Sequence, residues 1–246
     1  MKELKKKSLL LPAVMGLGAA AYCLRRALYT TAVDEKGLLI ANHPLTFALW
    51  AVVFSGGLLI AGAVWKGGGS DRYEDNFGPS QAGALGHFLM AGTVLVMALR
   101  SDFPLPGPIG QVWRVLGFLT APAMVWGGIC RKTGRKPFFG IHAALCLFLL
   151  LYLVSRYQLW SGNPQLQDYV FELLAAVTLT LFAYQHAAFA VDMGSQRMLT
   201  AMGLLTVLLC GGALYGAEMP GLYLCGAVWA AVDLPKKDEV KPHDPS

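Results

Sequence analysis

The chain has 246 residues, of which 55% are hydrophobic and only 14% charged, against about 25% charged in an ordinary soluble domain. With a mean hydropathy of +0.50 and long runs free of Asp, Glu, Lys and Arg, a water-soluble fold is excluded. The net charge of +5 comes from Lys and Arg scattered through short connectors, where they act as topology signals rather than as a nucleic-acid surface.

In chain order, the N-terminus carries Lys2, Lys5, Lys6 and Lys7 before an apolar run. It reads as an uncleaved signal anchor, ahead of a signal peptide cut near Ala19-Ala20-Ala21. A hydrocarbon core of about 30 Å needs roughly 20 apolar residues per helical crossing. On that measure the sequence predicts eight helices, over 8–28, 45–64, 82–99, 108–130, 138–155, 169–191, 198–216 and 220–234. They form one all-α, polytopic transmembrane bundle spanning 1–234, followed by a disordered cytoplasmic tail over 235–246. The last segment is short enough to be re-entrant, which would leave seven crossings. Between the second and third helices lies Gly67-Gly68-Gly69-Ser70. No GK[ST] follows it, and Asp71, Glu74 and Asp75 lack calcium-loop spacing, so a flexible connector is expected.

Charge sets the orientation. With the N-terminus in the cytoplasm, fourteen of the twenty Lys and Arg fall on the inner side. Arg131-Lys132-Thr133-Gly134-Arg135-Lys136 carries the strongest vote, and both termini are expected in the cytoplasm. Trp65, Trp113 and Trp160 fall near expected interfaces, whereas Trp50, Trp126 and Trp229 read as packing residues. Gly57/Ala61 and Gly212/Gly216 place small residues at four-residue spacing, which brings helices together within the chain, or against a second copy or a membrane partner protein. The five cysteines form no CxxC pair, so neither a disulfide framework nor a zinc ribbon is expected.

Few polar side chains lie within the spans. His87, His142 and His186 fall at one depth, near the cytoplasmic ends of three helices. Histidine carries protons and ligates metals near neutral pH, so the trio is a candidate proton, metal or haem site. Cys146 shares a face with His142, and Asp192 lies near the same depth. Glu172 sits at the other end of the sixth helix, on a face shared with Leu179, Ala183, His186 and Ala190 at 100° per residue. A carboxylate at that depth must face protein or water. It either pairs with Arg114 to fix helix packing or lines a solute pathway with Arg114 and His186. The outer loop 155–169 concentrates Arg156, Tyr157, Trp160, Asp168 and Tyr169. These anchor two helix ends at the interface or recognise a ligand or partner.

The stretch from Arg156 through Gln185, with Trp160-Ser161-Gly162-Asn163-Pro164-Gln165 leading into Tyr169, resembles small uncharacterised multi-pass membrane proteins of Gram-positive bacteria. The resemblance implies a cell-membrane location and no particular activity. The residues favour a non-enzymatic transport or permeation protein for an ion or small solute, with no cofactor. A sensor or assembly subunit acting through a partner protein is the first alternative. A metal- or haem-binding oxidoreductase using the three histidines is the second.

Overall fold

The computed structural model describes residues 9–32, 39–40, 43–65, 69–100, 108–160 and 166–235. Within them the chain is all helix: α1 (Leu10–Thr31), α2 (Pro44–Trp65), α3 (Tyr73–Asn76), α4 (Gln81–Leu99), α5 (Pro108–Thr133), α6 (Phe139–Trp160), α7 (Leu166–Ala190), α8 (Gln196–Ala213) and α9 (Pro220–Val232). The expected tail lies outside the described residues from 236 onward, as does the N-terminal lysine run.

Local chemistry sets the helix ends. Proline opens α2, α5 and α9, at the position where its missing N–H costs no helical bond. Ser80 and Ser195 cap α4 and α8, accepting from the N–H groups of Gly83 and Met198. Helix α5 ends at Gly134, whose φ of 73° suits glycine, and the Arg135 N–H returns to the Cys130 carbonyl at 2.9 Å. Helix α7 ends with the same turn, but there the left-handed residue is Asp192, at φ 55°.

Among the described residues, six helices are long and apolar enough to cross a membrane: α2, α4, α5, α6, α7 and α8. Helix α1 carries Arg25 and Arg26, and α9 has 13 residues, so neither meets that measure. Phe54, Leu58, Val112 and Leu119 are each more than half exposed. An outward apolar surface of this kind is stable against lipid, not against water. This is an integral membrane protein.

Helices α4 to α9 pack in sequence as a ring, closed by α9 against α4. Helices α1 and α2 pack on each other and on α8 from outside the ring. Gly18 of α1 and Gly211 of α8 make that approach close: a Cβ on Gly211 would stand 3.0 Å from the Gly18 Cα. Gly212 packs on Phe171 and Ala21, while Gly57 faces open space. Two tryptophans depart from expectation. Trp113 is 1% exposed, stacks on Phe148 and donates to its carbonyl at 3.2 Å, whereas Trp126 is 57% exposed. Depth along a helix is legible in sequence; which side of the helix meets protein is not.

The expected loop over 155–169 is a second correction. Helix α6 runs on through Trp160 and α7 begins at Leu166, so Arg156, Tyr157, Asp168 and Tyr169 are helical. The side chains of Trp160 and Asp168 lie outside the described residues. Tyr157 is exposed. Arg156 is 3% exposed, lies over the Tyr152 ring at 5.3 Å and pairs with Glu218. Its guanidinium is thus turned toward partners within the protein.

Candidate functional site: a buried histidine–aspartate centre

One end of the ring gathers side chains from five helices. His87 comes from the first turns of α4, His142 from the start of α6, His186 from the last turn of α7, Arg131 from the end of α5, and Asp233 from the residue that ends α9. All five are at most 3% exposed. The His87 and His142 Nε2 atoms are 3.1 Å apart, and the His142 and His186 rings stack at 5.2 Å. Asp233 accepts from Arg131 Nε through Oδ1 at 2.5 Å. Its Oδ2 lies 3.7 Å from His87 Nδ1 and 3.6 Å from His186 Nε2.

The tautomers follow from the acceptors. His87 Nδ1 is 2.9 Å from the Gly83 carbonyl, which can only accept, so Nδ1 holds the proton and donates. In neutral His87, Nε2 is then an acceptor, and His142 Nε2 must donate to it. That leaves His142 Nδ1 as a bare lone pair. It is buried and has no hydrogen-bond partner among the described residues, like His186 Nε2, Asp233 Oδ2 and Trp229 Nε1. An unsatisfied buried polar atom costs about 1–3 kcal/mol. Four in one cluster mark a place where stability is given up.

Aromatic rings close the centre. Trp229 stacks on His186 at 5.1 Å and lies edge-on to His87 at 5.5 Å. Phe182 meets His186 edge-on at 4.7 Å. Phe77, from the connector between α2 and α4, covers His186 at 5.1 Å. Cys146 points elsewhere, donating to the Thr180 carbonyl at 3.8 Å. Among the described residues no set of three or more His, Cys, Asp or Glu side chains is placed to hold a metal ion.

Asp192 lies at the rim of this end. It accepts the Tyr73 N–H through Oδ1 at 2.9 Å and pairs with Lys136 through Oδ2. The Lys136 hydrogen bond, with that of Tyr73, holds its carboxyl below the ordinary aspartate range. Burial pushes the Tyr73 phenol up, so it stays neutral.

The opposite end is arranged around Glu172, 1% exposed. Leu179, Ala183, His186 and Ala190 of its stripe are also buried, while Leu181 on the far side is exposed. The cations that act on Glu172 are Arg25 and Arg156, with the Glu218 carboxylate beside them. The expected Arg114 partnership is not among these interactions. Helix α5 packs on α4 and α6, whereas α7 packs on α6 and α8, so equal depth did not make Arg114 a neighbour of Glu172. Glu172 Oε2 has no hydrogen-bond partner among the described residues. Arg25 donates to the Gly212 carbonyl at 3.2 Å and lies over Phe171 at 5.4 Å. A cavity of about 300 Å³ opens beside it, lined by Arg25, Tyr29, Thr46, Phe47, Trp50 and Phe171 among others.

Between the two ends α7 presents Ala175, Ala176, Leu179, Phe182 and Ala183, each at most 2% exposed. A Cβ on Gly226 of α9 would stand 3.0 Å from Leu179. Among the described residues, these side chains make this layer packed and apolar.

Sequence reasoning missed Asp233, Arg131 as a structural cation, and the aromatic pair Tyr73 and Phe77. A carboxylate that directly ends an apolar helix, and two aromatics four apart in a charged connector, were the available signals. No protein-family profile, curated protein or solved structure matches the chain.

Proposed function

We propose that this protein is a non-enzymatic transport protein of the cell membrane for an ion or small solute, with the histidine–aspartate centre as its proton-exchanging group. The chain crosses the bilayer eight times, through α1, α2 and α4 to α9, with its N-terminus in the cytoplasm. The histidine end then faces the cytoplasm beside the basic turn 131–136, in keeping with the inward bias of Lys and Arg. A reporter fused at Thr133 tests this; an exterior position overturns the orientation.

One observation carries the reading: three imidazoles and a carboxylate from four helices meet inside a closed ring. Buried ionisable groups within membrane spans are costly and belong to ion and proton routes. The hydrogen bonds support a transfer by the following route. A proton added to the bare Nδ1 of His142 forms an N–H bond there. The Nε2–H bond of His142 breaks as its proton passes 3.1 Å to His87 Nε2. His142 is left neutral in its other tautomer, and His87 becomes an imidazolium 3.7 Å from Asp233 Oδ2. Arg131 holds the far oxygen of the same carboxylate, which orients Asp233 for that charge. The apolar layer around Leu179 supports a closed resting state, with Glu172 as the polar group on the other side.

Purified protein in vesicles with a trapped pH dye, under an imposed pH gradient and membrane potential, tests the proposal. A protein-dependent proton flux is expected, either alone or with one member of a panel of monovalent ions, amino acids and sugars. His142→Gln removes it while helical circular dichroism is kept. A flux equal to that of protein-free vesicles across the whole panel overturns the proposal.

A further inference from the structure

The connector over residues 69–80 is packed far more tightly than a link between two helices requires. Its exposed residues include four charged ones, Asp71, Arg72, Glu74 and Asp75. Its buried residues are Tyr73, Asn76 and Phe77, each at most 3% exposed. Asn76 ties the turn together from inside, donating to the carbonyls of Ser70 and Arg72 at 2.9 and 2.8 Å. Tyr73 and Phe77 stack at 4.9 Å. Phe77 covers His186 at 5.1 Å and meets Phe189 edge-on, and the Arg131 guanidinium lies over its ring at 4.9 Å. These two rings stand between the histidine centre and the outside of the bundle at this end.

The segment is fixed at both of its ends. On the α4 side, Arg131 donates to the Gly78 carbonyl, and the Ser80 N–H donates to the Arg131 carbonyl at 3.0 Å. On the other side, the Tyr73 N–H is held by Asp192, and Gly69 lies against α8. A Cβ on Gly69 would stand 2.7 Å from the Gln196 Cβ. Asp192 is the unusual part. It occupies a left-handed helix end where glycine is ordinarily preferred, a conformation that costs a side-chain-bearing residue free energy. Its carboxylate is what glycine lacks: one oxygen takes the Tyr73 N–H and the other takes Lys136. The pair is about one-third to one-half exposed, so it sits at the surface, where water competes for it. Beyond the Arg131 and Ser80 hydrogen bonds, the remaining contacts of the segment are those of the buried Tyr73 and Phe77 rings. A weak, wet latch therefore holds a dry plug.

We infer that residues 69–80 form a plug over the histidine centre, latched by Asp192 and Lys136, and that release of this latch is the step that opens the centre to solution. The inference extends the proposed transport role by naming what regulates access to its proton-exchanging site. The plug itself is tested without measuring any flux.

Diethyl pyrocarbonate acylates imidazole nitrogens that reach solution, and mass spectrometry reads each site. In the intact protein His186 and His142 are expected to react far more slowly than His43, which lies outside the centre. Removing an exposed ion pair is a small change and removing a hydrogen bond with it a larger one. Lys136→Gln should therefore raise the rate at His186 about threefold, and Asp192→Gly about tenfold, with His43 unchanged. Unchanged reactivity at His186 in both latch variants overturns the plug. Where Asp192→Gly loses its helical circular dichroism, Lys136→Gln decides the question alone. Faster labelling in a protein that moves no protons leaves the plug standing and removes the transport reading, so the two failures are distinguishable.

Discussion

The two ends of this bundle solve the same problem differently. Each buries ionisable groups where the surrounding helices are apolar. At the histidine end, charge is neutralised inside the ring: Asp233 is fully buried, Arg131 closes on it, and aromatic rings exclude water. At the glutamate end, charge leads outward. Arg156 reaches Glu218, which is 48% exposed, and Arg25 lines an open cavity. Desolvation of an ion is the largest unfavourable term in both. The glutamate end limits it by keeping one member of its network wet, whereas the histidine end keeps all of its members dry. Orphaned buried polar atoms occur at both, among them Glu172 Oε2 and Arg156 Nε at one and His142 Nδ1 and Asp233 Oδ2 at the other.

That contrast can be broken by substitution. Arg131→Gln and Asp233→Asn each leave a buried charge without its partner and should cost about 3–5 kcal/mol in thermal or denaturant unfolding, while an apolar double replacement recovers most of the loss. Phe77→Ala removes a buried ring and should cost about 3 kcal/mol, with the loss confined to the histidine end in hydrogen exchange. Glu172→Gln should cost less, about 1–2 kcal/mol, because Glu218 still balances the cations beside it. A Glu172→Gln loss as large as that of Arg131→Gln would show that the two ends are energetically alike. The smallest effect belongs to Asp192. Its carboxyl is held below the ordinary aspartate range by Lys136, so its contribution is present above the unfolded pKa of about 4 and disappears as pH falls through the lower folded value. Lys136→Gln should lower stability slightly in the neutral region, flatten that acid limb of the profile and leave stability unchanged below the folded value.

Much of the site is legible in the amino-acid order, and the reason is geometric. Depth along a membrane helix follows from counting residues at 1.5 Å each. Three histidines at one depth therefore read as one candidate site, and the fold brings their rings within 5.2 to 6.1 Å of one another. The inward face of Glu172 is legible for a similar reason, since a helix repeats every 3.6 residues. Partner choice is not. Arg114 and Arg156 both stand at the depth of Glu172, and only the order of helices around the ring brings Arg156, not Arg114, to that carboxylate. The stretch 155–169 reads as a loop because polar side chains lower hydropathy without ending a helix.

By itself, the sequence determined that this chain lives in lipid, where its apolar runs fall, and at which depth each ionisable residue sits, because those properties are local and additive along the chain. Tertiary structure alone decided that α9 closes the ring and delivers Asp233, that Arg131 turns inward to meet it, and that Tyr73 and Phe77 fold back over the imidazoles. Those outcomes depend on which helix lies beside which. That order is set by packing contacts between residues far apart in the chain, and no periodicity within a single segment encodes it.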